Sequence, residues 1–280
     1  MRFLSTHAQH IGTRSSQQDS FGFGSMDRAF MEHAGLLAIV CDGMGGMEHG
    51  DAASRIGVEA FLSAYQEKTE AQDIPTALLR SARHANAQVV AFSLRLNLEG
   101  GVGTTLVAVA IQPTGFYYIS IGDSGIFRCS EGSIEEVNHP HVFANYLAQA
   151  VESGKMSAQE AQNHPDREAL TSFVGMGDLA EIDQNREPQE LEAGESMLLA
   201  SDGMFKTLTA GEIEVCLTGY PPDWPQILVD RVLSHRRVYQ DNVTVISVTL
   251  DDESNPLIQS ARTAPVVPSG PPPLPPPLPS

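Results

Sequence analysis

The chain has 280 residues, 41% of them hydrophobic, and its 17 basic against 35 acidic side chains leave a formal charge of −18. That length and apolar content suffice for a full hydrophobic core, while the acidic balance argues against a nucleic-acid or anionic-membrane surface, because phosphates would be repelled. Its three cysteines, Cys41, Cys129 and Cys216, form no CxxC pair, and two of them lie in apolar runs. Buried thiols in a reducing compartment are the expectation.

The segment Met1–His7 lacks the apolar core of a signal peptide, and no stretch approaches the roughly 18 consecutive apolar residues that span a bilayer. A soluble, cytoplasmic protein is therefore expected. Leu36–Cys41 is the first strand-like run, and it exits into Asp42-Gly43-Met44-Gly45-Gly46. Helical spacing follows, first with Ala53, Ile56, Ala60, Phe61 and Ala64 on one face. Leu78, Ala82, Ala85, Val89, Phe92 and Leu96 then mark a second helix, which opens at Pro75, a favoured first-turn residue.

Thr104–Gln112 and Phe116–Ile121 are strand-like and separated by Pro113-Thr114-Gly115, and Ile126–Cys129 is followed by Ser130-Glu131-Gly132-Ser133. These connections have hairpin chemistry, so a largely antiparallel sheet is expected. A third helical stretch covers Val142–Ser153, and Ser157 with Glu160 forms the sequence pattern of a capping box. Met197–Ala200 exits into Ser201-Asp202-Gly203, and Asp241-Asn242 immediately precedes the run Val243–Leu250. From about Asp251 to Ser280 prolines dominate, and a disordered or polyproline II tail is expected, with an SH3-like domain as its candidate partner.

Three carboxylates at strand ends carry the chemical signal. If the strand ends meet, Asp42, Asp202 and Asp241 crowd one rim and repel one another unless divalent cations intervene. An all-oxygen donor set without His or Cys favours Mg²⁺ or Mn²⁺ over Zn²⁺. No D-x-D-x-D-G calcium loop and no G-x-x-x-x-G-K-[ST] phosphate loop is present.

Six short segments in order resemble the metal-dependent protein serine/threonine phosphatases, the PPM or type 2C family, in its bacterial form. They are Gly12–Asp19 with Arg14, Val40–Gly46, Gly103-Thr104-Thr105, Gly122-Asp123-Ser124, Ser201-Asp202-Gly203 and Asp241-Asn242. The resemblance implies an α+β fold, an antiparallel β-sandwich flanked by helices on both faces in four α-β-β-α layers. It implies a catalytic domain over residues 1–250 and a proline-rich tail over 251–280. By position, Asp42 bridges two Mn²⁺ or Mg²⁺ ions, Gly43 contributes its carbonyl, and Asp202 and Asp241 complete the second ion's shell. Asp19 sits beside them, Asp123 with Asp202 holds a third, weaker ion, and Arg14 grips the substrate phosphate. A metal-activated bridging water then attacks phosphorus without a phospho-enzyme.

The implied substrates are phosphoserine and phosphothreonine on proteins, in opposition to a bacterial Ser/Thr kinase. Four positions depart from the family pattern: Gln17, Gln18, Gly125 and Met47. Met44 also stands where eukaryotic relatives carry a histidine, and methionine cannot act as a general acid. His49, His139 and His141 are read as ordinary surface or structural histidines, and Ser124 and Ser201 lack the paired base of a nucleophile. The alternative reading is a catalytically weak or inactive pseudophosphatase that serves as a phosphoprotein-binding scaffold.

Overall fold

The computed structural model describes residues 2–44, 49–130, 133–218 and 223–251. In chain order the elements are β1 (Arg2–His10), β2 (Asp19–Phe23), α1 (Arg28–Ala34), β3 (Leu36–Asp42), α2 (Gly50–Gln66), α3 (Ile74–Arg95), β4 (Leu106–Gln112), β5 (Gly115–Ile121), β6 (Gly125–Ser130) and β7 (Ser133–Glu136). They continue with α4 (Phe143–Glu152), α5 (Ala158–Gln162), β8 (Asp183–Gln184), β9 (Ser196–Ala200), α6 (Asp202–Phe205), α7 (Ala210–Leu217), α8 (Trp224–Ser234) and β10 (Val243–Asp251). The strands form two five-stranded sheets, ordered β1-β10-β9-β6-β7 and β2-β3-β4-β5-β8. Every pairing is antiparallel.

β3 explains why the central strands read as unbroken apolar runs. Leu37, Ile39 and Cys41 pack with Phe61, Tyr65, Leu78 and Ala85 of α2 and α3. Leu36, Ala38 and Val40, pointing the other way, meet Met197, Leu199, Ile246 and Val248 of the opposite sheet. Both faces are buried, so the period-2 alternation of a half-exposed strand disappears. On the far side Ile213, Leu217, Trp224, Leu228 and Val232 of α7 and α8 cover Leu198, Val243 and Val245. The result is the four-layer α+β sandwich expected from the resemblance.

Local signals set the helix ends. Asp73 caps α3, its Oδ1 accepting from the Thr76 N–H at 2.7 Å, and Pro75 sits within the first turn. The apolar stripe holds through Val89 and the half-buried Phe92, but Leu96 lies at the helix C-cap and is exposed. The capping box of Ser157 and Glu160 opens α5, and Thr209 with Glu212 builds a second one at α7. β1, β2, β7 and β8 have no strand signal in the sequence; β1 and β2 are interrupted by Ser, Thr, His, Gln or Gly and are held by their partners β10 and β3. The proline-rich stretch 252–280 and the motif residues Gly45, Gly46 and Met47 lie outside the described residues.

Candidate metal centre

The antiparallel register of β2 and β3 pairs Asp19 directly with Asp42. Asp42 is held through its backbone: its N–H donates to Thr105 Oγ1 at 2.9 Å, and its carbonyl accepts from Thr104 Oγ1 at 2.8 Å. Thr105 Oγ1 also meets Ser124 Oγ at 2.7 Å, which ties the turn carrying Asp123 to the same strand end. Gly43 donates its N–H to the Gln18 carbonyl at 3.0 Å. A methyl group at Gly43 would overlap the carbonyl oxygens of Gly50 and Gln18, so the close approach of three backbone segments needs glycine there.

Asp19 is almost fully buried, and two hydroxyls converge on its Oδ2, from Ser201 at 2.8 Å and Thr244 at 2.7 Å. Its Oδ1 is buried without a hydrogen-bond partner among the described residues. An orphaned carboxylate oxygen carries a penalty that a cation would remove. The Ser201 and Thr244 clamp on Asp19 is not marked in the sequence, although both residues lie within segments that are.

Asp241 accepts from its neighbour's N–H, Asn242, at 2.8 Å and from Arg14 Nη2 at 2.7 Å. Asn242 moors the loop that carries Arg14: its Nδ2 donates to the carbonyls of Ile11 and Ser16 at 2.8 and 3.1 Å, and its Oδ1 accepts from the Gln18 N–H at 2.8 Å. Asp202 opens α6, and its Oδ2 accepts from Lys206 Nζ at 2.7 Å. The same ammonium reaches Asp123 Oδ2 at 3.0 Å. Arg14 thus sits on a carboxylate at the rim, and Lys206 enters a set of residues that the motifs define without it.

Burial, followed by the charges of Asp19, Asp202, Asp123 and Asp241, pushes the Asp42 pKa well above the usual carboxylate range. Burial likewise raises Asp19 to about 6, against the hydrogen bonds from Thr244 and Ser201. Asp202 is raised, first by burial and then by Asp123 and Asp241, while Lys206 opposes the shift. Asp42 therefore stands within the electrostatic reach of four other aspartates from different parts of the chain. Among the described residues no group of three acidic, His or Cys side chains stands ready-formed around a cation; Arg14 and Lys206 draw carboxylate oxygens of Asp241, Asp202 and Asp123 into ion pairs instead.

The donor set still fits a hard divalent ion: it is all oxygen, it carries excess negative charge, and it keeps an unpaired oxygen on Asp19. Ser124 and Ser201 are fully buried and engaged, which removes them as nucleophiles. His141 is also buried; its Nδ1 accepts from the Gly122 N–H at 3.1 Å, bracing the turn under Asp123. His49 and His139 are exposed.

Gly203, beside Asp202, approaches the backbone so closely that an added methyl would overlap the Asn242 carbonyl oxygen. Gly203→Ala is expected to destabilise the fold by about 3 kcal/mol, since backbone cannot give way as a flexible side chain does. An unchanged thermal midpoint would contradict the close packing of α6 on the Asp241-Asn242 segment.

Comparisons with known proteins bear on the family and the fold. The family profile described as protein phosphatase 2C matches residues 7–232. The serine/threonine phosphatase stp of Listeria monocytogenes is 28% identical over 233 residues, covering 81% of this chain and 88% of the relative. The solved serine/threonine phosphatase of S. agalactiae superposes with a TM-score of 0.74 at 27% identity, covering 89% of this chain and 100% of that one. A crystal structure of the catalytic domain of the protein phosphatase PstP, which contains 2 manganese ions, shares the fold with a TM-score of 0.68 at 21% identity, over 89% of this chain and 99% of that one. The chain belongs to the protein phosphatase 2C family.

Proposed function

We propose that this protein serine/threonine phosphatase hydrolyses phosphoserine and phosphothreonine esters with two divalent cations, Mn²⁺ or Mg²⁺, held by Asp42, the Gly43 carbonyl, Asp202 and Asp241, with Asp19 beside them. The observation that carries the reading is the set of aspartates whose charges converge on Asp42, together with the orphaned oxygen of buried Asp19. PstP, with its two manganese ions, supports the metal class. When bound, such cations acidify water and neutralise the charge that develops on a phosphoryl group under attack.

The chain's own residues position and orient. Thr104 and Thr105 fix the Asp42 backbone, so that carboxylate starts from a rigid strand end. Arg14 is half exposed at the rim and holds a single carboxylate oxygen, an arrangement that lets its planar fork exchange Asp241 for phosphate oxygens. Ser124 and Ser201 are buried and engaged in hydrogen bonds, which leaves direct attack by water as the route in this proposal. Met44 cannot protonate the leaving alcohol, and in this proposal that proton comes from solvent.

Gln17 and Gln18, the departures behind a scaffold-only reading, brace the site: Gln17 Oε1 accepts from the Asp19 N–H at 3.0 Å, and the Gln18 backbone holds Gly43 and Asn242. Residues 1–250 make up the catalytic domain in this proposal, and 251–280 a tail that presents prolines to an SH3-like partner. The physiological setting is opposition to a cytoplasmic Ser/Thr kinase. Among the described residues no helix is long and apolar enough to cross a membrane, and the three cysteines are free thiols, as a reducing compartment keeps them.

The test is phosphate release from a phosphothreonine peptide in Mn²⁺, Mg²⁺ or EDTA, with Asp241→Asn alongside the native chain. Turnover is expected only with the divalent ion, and the variant should lose about 10²-fold or more. Equal turnover in EDTA and Mn²⁺ would refute the metal-dependent reading.

A further inference from the structure

We propose that Lys206 is a built-in cation that takes the place between Asp123 and Asp202, so that this phosphatase binds two divalent ions and excludes a third. The inference rests on the two-cation reading above. Its geometry is direct: one ammonium donates to Oδ2 of both carboxylates, at 3.0 and 2.7 Å, and the two acceptors come from segments 83 and 4 residues away from it. The expectation that Asp123 and Asp202 share a third, weaker ion therefore does not fit the residues present.

The arrangement is built by both secondary and tertiary structure. α6 begins at Asp202 and Lys206 caps its C-terminal end, so the i,i+4 spacing brings the lysine back over the Asp202 carboxylate. Asp123 arrives from the turn between β5 and β6, which is fastened to Asp42 through Ser124 and Thr105 and braced from below by His141. Both carboxylates are largely enclosed, with side-chain exposures of 12% and 19%, whereas the lysine is 42% exposed and reaches inward along its stem. A divalent ion entering this position would have to displace the ammonium or lie beside it against like charge. Each aspartate gives Lys206 only its Oδ2, so Asp202 keeps Oδ1 for the two-ion centre.

The consequence is a phosphatase whose third cation is covalently part of the chain. A tethered ammonium cannot be lost when free Mn²⁺ or Mg²⁺ falls. The charge at Asp123 is then balanced whatever the ion supply.

The test counts Mn²⁺ ions per chain by equilibrium dialysis at millimolar Mn²⁺, with anomalous scattering from Mn²⁺-soaked crystals to locate them. The native protein is expected to hold two, neither at Asp123. Lys206→Met, which preserves most of the side-chain volume, is expected to hold three, and the double variant Lys206→Met with Asp123→Asn two again. Three ions in the native chain, one of them on Asp123, would overturn the inference and leave the two-ion reading standing. Two ions in Lys206→Met, shown to be folded by its circular dichroism, would overturn it as well. A native chain that holds no Mn²⁺ would overturn both readings.

Discussion

Asp42→Asn is expected to cut phosphate release by about 10³-fold while raising the melting temperature of the metal-free protein. The opposite signs follow from one cause. Asp42 is the half-buried last residue of a strand whose other six residues are buried, and desolvation together with four neighbouring aspartates disfavours its ionised form. Without a divalent ion this carboxylate is a liability, and a neutral amide of nearly the same shape removes the repulsion. The hydrogen bonds that fix residue 42 run through its backbone and survive the change. An increase of about 5 °C is the expected scale for a chain of this size. The measurement is a pair of thermal melts in EDTA beside initial rates in Mn²⁺. A metal-free variant that melts below the native chain would show that Asp42 stabilises the fold, against the reading of a site strained in favour of metal.

The stability curves with and without Mn²⁺ should run in opposite directions with pH. Asp19 has a folded pKa raised by burial to about 6, above the roughly 3.9 of an unfolded chain. A raised pKa means that the folded state binds its proton more tightly, so this contribution is complete below about pH 4 and is lost as pH climbs through 6. Taken alone it is worth on the order of 3 kcal/mol, and Asp42 and Asp202 shift the same way. Over the window from pH 5 to pH 7 the metal-free protein should therefore lose stability. Saturating Mn²⁺ should reverse the trend, because ligation requires ionised carboxylates and tightens as protons leave. Melting temperatures at half-unit pH steps, in EDTA and in Mn²⁺, decide the matter. Parallel curves would mean that the buried aspartates do not form the cation site.

Part of this site can be read along the chain and part cannot. β3 is legible because six apolar residues run into Asp42-Gly43, and α3 because Asp73, Pro75 and a regular stripe mark its start and face. β2 carries no such mark: its five residues include Asp19 and Gly22, and it becomes a strand by pairing with β3. That register is what sets Asp19 against Asp42. The hydroxyls of Ser201 and Thr244 reach Asp19 from 182 and 225 residues away, and no local pattern encodes a hydrogen bond across such a separation.

Chain order alone shows that Asp42 and Asp202 follow strand-like runs and are themselves followed by glycine, that Asp241 precedes such a run, and how apolar spacing divides strands from helices, since these depend on neighbours within a turn or a pleat. Packing of the two sheets sets the rest: that Asp19 keeps one buried oxygen without a partner among the described residues, that Arg14 rests on Asp241, and that Lys206 joins Asp123 to Asp202. The reason is that charge and desolvation act through space. Carboxylates on segments far apart in the chain acquire their energetics when two sheets close and bring their strand ends to one rim.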